Sequence, residues 1–392
     1  MTTATHKIPS GYKQTDIGVI PADWDVKTFK DICWVNQGLQ IAIEKRLKNP
    51  TAKSKKYITI QYLNSGKETE YIDDYSPSVC CNNEDILMTR TGNTGIVISG
   101  VEGVFHNNFF KINFDKKQIE KDYLLYYLKD SKTKRIILEK AGTSTIPDLN
   151  HDDFYSIQIP IPSSKTERSA IATTLSDTDA LIEKLEKLIE KKKNIKHGAM
   201  QELLTSKRRL PGFSAKWETK ELGELLDYEQ PTKYLVKSSD YSDDYSTPVL
   251  TAGKTFILGY TAEETSLFEK LPTIIFDDFT TAIKYVDFPF KAKSSAMKML
   301  IPRSKDINLK FVFAKMQMID FQLGDHKRYW ISEYQNIEIA TPKPDEQTAI
   351  ATVLSDMDTE IEKLESQLTK YQNLKQGMMQ VLLTGKIRLL SK

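Results

Sequence analysis

One stretch of this chain is written twice. Ile171-Ala172-Thr173-Thr174-Leu175-Ser176-Asp177-Thr178-Asp179 returns 179 residues later as Ile350-Ala351-Thr352-Val353-Leu354-Ser355-Asp356-Met357-Asp358. The match continues from Ile182-Glu183-Lys184-Leu185-Glu186 to Ile361-Glu362-Lys363-Leu364-Glu365, and closes with Leu203-Leu204-Thr205 against Leu382-Leu383-Thr384. A long internal repeat at so wide a spacing means two halves. Each copy reads as one helix. In the second, Ile350, Leu354, Met357, Ile361, Leu364, Leu368, Tyr371, Met378 and Leu382 follow steps of three and four, which is heptad spacing. The first uses Ile171, Leu175, Ile182, Leu185, Ile189, Ala199 and Leu203 in the same frame, interrupted by Thr178, Lys192 and Lys196. Leu175, Ile182, Leu185 and Ile189, facing Leu354, Ile361, Leu364 and Leu368, are therefore the expected pairing residues. Leu181, Leu188 and Ile195 widen the first stripe, as though it packs on more than one neighbour. A helix from Glu167 to Leu204 is about 57 Å long.

The ends agree. Pro162 and Pro342 precede the helix starts, and Glu167 and Glu346 lie in or near the first turns. Gly212 and Gly385 stand just beyond the ends, where left-handed backbone is tolerated. Gly198 and Gly377, at matching interior positions, predict a bend or a close approach of another backbone. If the halves are related by a two-fold axis perpendicular to the helices, the pair is antiparallel and acts as a rigid spacer. Two ordinary amphipathic helices would show the same heptads.

The segments between the repeats, roughly 25–160 and 218–340, share little sequence. A tryptophan opens each (Trp24, Trp217), read as a buried anchor. Both segments look mixed α/β. Tyr57–Ile60, Asp85–Met88, Gly95–Ile98, Thr273–Phe276 and Met297–Leu300 read as strands, and Asp122–Glu139 and Leu309–Phe321 as helices. The expected class is α+β: two α/β domains separated by two long helices that form an antiparallel coiled coil with pseudo-two-fold symmetry. The division is 1–162, 163–210, 211–342 and 343–392.

Composition excludes several classes. With 392 residues, 40% hydrophobic and 28% charged, the chain suits a globular protein of two or three domains. It has no apolar run long enough for a membrane span. Met1–Ile20 carries Lys7 and Lys13 without an apolar block, which is unlike a secretory signal. Cys33, Cys80 and Cys81 offer neither a disulfide framework nor zinc spacing, and a reducing cytoplasm is the simplest compartment. The net charge of +2, from 55 basic and 53 acidic residues, argues against a broad basic surface but leaves room for a local one.

Catalytic motifs fail one by one. Gly253-Lys254-Thr255 ends like a phosphate loop, but Pro248 stands where its first glycine belongs. There is no GxGxxG, GxSxG or HExxH, nor the Asn/Asp-Pro-Pro-aromatic motif of amino-methyltransferases. Asp277, Asp278 and Lys284 read better as the cap of a strand than as a nuclease set. What remains is polar loops. Arg90, Thr91, Asn93 and Thr94 offer a guanidinium fork with amide and hydroxyl groups, which suits base edges in a DNA groove; a solvated hairpin turn fits the same residues. Asn107 and Asn108 form a second cluster, and Thr143, Ser144 and Thr145 close the first insert. In the second insert the candidates are Thr280, Thr281, Lys284, Lys293, Ser294, Ser295, Lys327, Arg328 and Tyr329.

An IATxLSDxD helix start, an IEKLE heptad run and a closing LLTGK-I-RL, duplicated behind unlike inserts, resemble the specificity (S) subunit of type I restriction-modification enzymes. Gly11-Tyr12-Lys13-Gln14-Thr15-Asp16-Ile17-Gly18-Val19-Ile20-Pro21 with Trp24 is similar to that family's opening. The resemblance covers nearly the whole chain. It implies that each insert is a target recognition domain reading half of a bipartite double-stranded DNA site, through the loop residues named above. It implies that the helices set the gap and dock two modification subunits. The chain itself would be non-catalytic and hold no cofactor or metal. The assembled complex would be an adenine N6-specific DNA methyltransferase using S-adenosylmethionine in its modification subunits. Restriction subunits, using ATP and Mg, would make it a site-specific deoxyribonuclease. A coiled-coil scaffold carrying two protein-binding domains is the competing expectation.

Overall fold

The computed structural model describes residues 8–65, 69–143, 145–253, 255–323 and 328–389. The chain divides into two compact units, one of residues 1–186 with 367–392 and one of residues 187–366. Two helices of 39 residues each, Lys165–Leu203 and Pro344–Leu382, are the repeat. Each unit takes half of both helices.

In the first unit, Asp25–Thr28 pairs antiparallel with Gln158–Ile161, so the two ends of the insert are laced together. A one-turn helix, Phe29–Ile32, follows. Its start is a capping box in which Thr28 and Asp31 satisfy each other's backbone N–H groups. The larger sheet runs in the order Cys33–Gln37, Phe109–Phe114, Ile86–Thr89, Val97–Ile98. Ile86, Leu87, Met88 and Thr89 are all buried, as a strand covered on both faces requires. A smaller sheet holds Tyr71–Ile72, Lys55–Ile58, Gly103–Phe105 and Cys80–Cys81, with Lys55–Ile58 and Gly103–Phe105 parallel.

The second unit repeats this plan on unrelated residues. Glu218–Glu221 pairs with Glu338–Thr341, and a capping box (Glu221, Glu224) starts the one-turn helix Leu222–Leu225. The larger sheet runs Leu226–Glu229, Met297–Pro302, Thr273–Asp277, Ile283–Val286. The smaller runs Ile257–Thr261, Thr247–Leu250, Lys291–Ala292, again with one parallel pair. Two inserts with little common sequence share the strand order of the larger sheet and the parallel pair of the smaller, which has four strands in the first unit and three in the second. The mixed α/β reading with two domains and two long helices holds.

Several local expectations change. Tyr57–Ile60 is not one strand: the strand is Lys55–Ile58, and a helix begins at Ile60. The helix expected over Asp122–Glu139 is two, Lys121–Lys129 and Ser131–Ala141. The break falls at Asp130, whose backbone turns extended (ψ 141°) while its side chain accepts from Lys132 N and Thr133 N. Leu309–Phe321 shortens to Leu309–Met316. Gly198 and Gly377 lie inside unbroken helices and admit no close neighbour, since a Cβ at either would meet nothing within 4 Å. Gly385 does have a structural role. Its φ of +69° ends the second helix, and a Cβ there would collide with the Pro21 ring. The three cysteines are free thiols, and burial pushes Cys33 up to about 12 and Cys81 up to about 11.

Candidate nucleic-acid interface

The polar loops of the first insert, scattered in sequence, meet at one end of the larger sheet. Arg90 N donates to Asn108 O, Gly92 N donates to Pro147 O, and Leu149 N donates to Arg90 O. Thr94 is buried, its hydroxyl shared between Arg90 O (3.1 Å) and Pro147 O (2.9 Å). Asn107 reaches Gln40, and its Oδ1 is buried without a hydrogen-bond partner. Asn93, Thr143 and Thr145 are exposed on the limbs these bonds join, and Ser144 lies outside the described residues.

Arg90 does not present an open fork. Its Nε donates to Leu149 O at 3.1 Å, its Nη2 donates to Asp148 at 3.0 Å, and its guanidinium lies over the Phe110 ring. Thr91 donates its hydroxyl to the other oxygen of Asp148. Arg90, Thr91 and Thr94 thus hold the loops together, while Asn93, Thr143 and Thr145 face outward. Asp148, absent from the sequence-based set, is the residue on which the loops close. Its signal would have been an acid within the polar stretch that ends the insert.

In the second insert, Asp277 Oδ1 accepts from Phe279 N and Thr280 N, shaping the turn that carries Thr280 and Thr281. Thr281 takes a φ of +54° there. Lys284 is exposed with its Nζ over the Phe256 ring, and Lys293 donates to Tyr241 Oη at 3.0 Å. Ser294 Oγ accepts from Ala296 N, Ser295 follows in the same turn, and Arg328 is exposed. Tyr329 is a correction. Its ring is buried against Phe321, so it packs the core instead of facing outward. Lys327 lies outside the described residues. Asp277 and Asp278 belong to the strand end, as read, but Asp278 is more than a cap. It pairs with Lys298 at 3.0 Å, both side chains at most 2% exposed, and accepts from Trp330 N at 3.0 Å.

Each half-helix pair has its own core. In the first unit Ile171 and Leu175 pack with Met379, Leu382 and Leu383; in the second, Ile350 and Leu354 pack with Met200, Leu203 and Leu204. Leu185, Ile189 and Ile361 are buried, and Ile182, Leu364 and Leu368 are partly so. The lysines that interrupt the seam are neutralised. Lys375 meets Asp179 at 2.5 Å in one unit, and Lys196 meets Asp358 at 2.5 Å in the other. These are the same two positions, one repeat apart. Lys192 adds Glu360 at 2.6 Å. Tyr126 Oη donates to Asp179, and burial together with that carboxylate pushes the phenol's pKa well up. Ile195 and its repeat partner Leu374 remain 47% and 49% exposed, and Leu188 is exposed too, so among the described residues this part of the widened stripe stays open, while Leu181 is half-buried.

A second recurring group was not foreseen. Arg388 donates to both oxygens of Glu167 (2.6 and 2.8 Å), which also accepts from Trp24 Nε1 at 3.3 Å. In the other unit Arg209 donates to both oxygens of Glu346 (2.6 Å each), which accepts from Trp217 Nε1 at 3.2 Å. Both guanidinium groups lie over the indole, at 5.7 and 5.6 Å. The carboxylate holds each arginine protonated by direct hydrogen bonds. The signal was present in the sequence, because Arg209 and Arg388 are spaced as Glu167 and Glu346 are.

Among the described residues no helix is long and apolar enough to cross a membrane, and no cluster of His, Cys, Asp and Glu could hold a metal.

The model of the type I restriction modification DNA specificity domain matches this chain twice, over residues 21–196 and 214–370. The specificity subunit of the EcoR124I/EcoR124II type I restriction enzyme of Escherichia coli is 47% identical over 186 residues, 45% of each chain. The MjaVIII specificity subunit of Methanocaldococcus jannaschii is 26% identical over 94% of each chain. In fold, the type I restriction-modification S subunit of M. genitalium superposes with a TM-score of 0.64 at 18% identity, covering 94% of this chain and 97% of that one.

Proposed function

Because the chain belongs to the type I restriction-modification DNA specificity family, we propose that it works as the DNA-recognition subunit of such a complex, each insert reading one half of a split site. The observation that carries this reading is the contrast between its parts. One topology occurs twice, each time set on the same helical clasp, yet the loop residues differ completely between copies. A protein that read one half-site twice would be expected to keep those residues.

In this reading the two long helices form an antiparallel coiled coil related by a pseudo-two-fold axis. The ion pairs support it: Lys192–Glu360 and Lys196–Asp358 run in opposite senses, and Asp179–Lys375 is the latter's repeat equivalent. Rods of 39 residues, about 58 Å long, can bridge half-sites that recur about every 34 Å on one face of DNA. Contact with bases falls to Asn93, Thr143 and Thr145 in the first insert, and to Thr280, Thr281, Lys284, Ser295 and Arg328 in the second. Exposed Leu188, Ile195 and Leu374 offer apolar footing for modification subunits, which would bring S-adenosylmethionine and the methyl-transfer chemistry. Restriction subunits with ATP and Mg would be a further layer. A near-neutral chain fits this division, since partners would supply phosphate contacts.

Methylome sequencing of a host carrying this subunit with modification subunits tests the reading. A split methylated motif is expected, and exchanging residues 25–160 for another insert should change one half of it. Loss or change of both halves together would defeat the one-insert, one-half assignment.

A further inference from the structure

The residue that follows the third strand of each larger sheet occupies the same joint in both units. Arg90 N donates to Asn108 O at 2.7 Å, and Arg90 O accepts from Leu149 N at 2.8 Å. Asp278 N donates to Ala296 O at 3.0 Å, and Asp278 O accepts from Tyr329 N at 3.0 Å. Asn108 and Ala296 each stand immediately before the central strand. Leu149 and Tyr329 each lie where the chain returns into a short helix, His151–Tyr155 or Tyr329–Ser332. The backbone plan is therefore identical, while the side chain placed on it has opposite charge. Arg90 grips the return segment through Asp148 and Leu149 O. Asp278 grips it through Trp330 N and is itself neutralised by Lys298, which lies 4.7 Å from the Tyr228 ring centroid.

We infer that this joint is a positioning latch, and that the Arg90–Asp148 pair and the Asp278–Lys298 pair each set how stringently one half of the DNA site is read. The inference rests on the proposed DNA reading of the inserts. In the first unit the reasoning is direct. Exposed Asn93 lies on one limb and exposed Thr143 and Thr145 on the other, and the side chains of Arg90, Thr91, Thr94 and Asp148 tie the limbs together. Rejecting a wrong base requires donors and acceptors held to a few tenths of an ångström, so supporting bonds set discrimination even where they touch no base. Two sequences that read different bases need different side chains at the tip. They need the same joint behind it, and the joint can be locked with either sign of charge.

The test is Asp148→Asn in the assembled methyltransferase complex, read by methylome sequencing at sites carrying one mismatch. Asn keeps the shape and removes the charge. Methylation of sites mismatched in one half, relative to the matched site, is expected to rise about tenfold, with discrimination in the other half unchanged. Asp278→Asn should relax the opposite half, and Asp148→Glu, which restores the carboxylate, should recover part of the lost stringency. A purely structural role would lower total methylation without separating the halves. Unchanged discrimination in Asp148→Asn, or equal relaxation of both halves, overturns the latch. Exchange of residues 25–160, run alongside, shows whether the one-insert, one-half reading has failed instead. Should Asp148→Asn not fold, Thr91→Val removes only one bond to Asp148. It is expected to relax the same half by about threefold, and no relaxation there overturns the proposal.

Discussion

Glu167 and Glu346 sit in the same surroundings, and the residues next to them do not. Each glutamate takes an arginine and a tryptophan in matching geometry. One position further on, Arg168 Nε reaches Glu120 Oε2 at 2.5 Å and its Nη1 reaches Pro162 O at 2.6 Å. Its repeat partner Gln347 accepts from Asn308 N and donates to Pro342 O, each at 2.9 Å. Both side chains tie a long helix to the start of an insert helix, Lys121–Lys129 or Leu309–Met316. One joint is an ion pair and the other is neutral. The clasp and the Lys–Asp pair of the long helices are duplicated, and the contact that crosses to an insert changes with the insert.

The largest effect should come from breaking a clasp. Glu167 is 1% exposed, and Glu167→Ala would leave the Nε of Arg388 and the Trp24 indole N–H without their acceptor, with Asp23 as the only carboxylate remaining on that guanidinium among the described residues. A loss of about 3 kcal/mol is expected, or roughly 6–12 °C in Tm for a unit of this size, measured by thermal unfolding of the purified chain. Glu346→Ala should behave alike. A difference between the two well beyond the ~1 kcal/mol that Asp23 can add to the first clasp would break the claim that the shared arginine–glutamate–tryptophan group is equivalent in both.

The joints give the next largest effect. Arg168→Gln would leave Glu120 facing an amide, at a cost of about 2 kcal/mol, the size of a charge-assisted hydrogen bond. Gln347→Arg should bring no gain, because Asn308 offers no carboxylate. Grafting residues 25–160 in place of 218–340 would put Glu120 opposite Gln347. That graft should be unstable until Gln347→Arg is added. Equal stability with and without the added arginine would show that the joint does not discriminate between inserts.

What the sequence discloses follows the same line. The helices are legible because heptad spacing is local and the repeat doubles the signal. The common topology of the inserts is not. It depends on pairing such as Ile86–Thr89 with Phe109–Phe114, where only the buried pattern is shared with Thr273–Asp277 and Met297–Pro302. Asp130 shows the limit from another side, since a single capping carboxylate divides an otherwise continuous helical pattern. In the candidate interface, the loop of Arg90 was legible and the direction of its fork was not, because its partner Asp148 lies 58 residues away. Tyr329 beside a basic stretch reads as a contact residue, and only the Phe321 ring reveals it as core.

Within the helix pair the effect should be smaller and unequal. Asp358→Ala removes one partly exposed ion pair with Lys196, worth about 0.5 kcal/mol. Asp179→Ala removes the equivalent pair and the bond from Tyr126, so about 1 kcal/mol more is expected. Denaturant midpoints of the two variants measure the difference, and equal losses would mean that Tyr126 adds nothing.

The smallest difference lies between the clasps themselves. Arg388 also binds Asp23 through two bonds of 2.8 Å, whereas Arg209 binds only a backbone oxygen, Ala215 O, at 3.0 Å. Hydrogen bonds from Arg388 hold the Asp23 carboxyl below its usual value. With a folded pKa depressed below the unfolded one near 3.9, Asp23 contributes stability that is fully present above about pH 4 and is lost as pH falls through the folded value. Asp23 is more than half exposed, so solvent screens the pair and the contribution stays within about 1 kcal/mol. Asp23→Asn should lower stability slightly at pH 7 and by less as the pH falls through the folded pKa of Asp23, so the variant loses less on acidification than the parent. Unfolding midpoints across pH 2 to 7 read this directly. Parallel curves for parent and variant would mean that the extra carboxylate does not strengthen the first clasp, and that the two clasps are energetically the same.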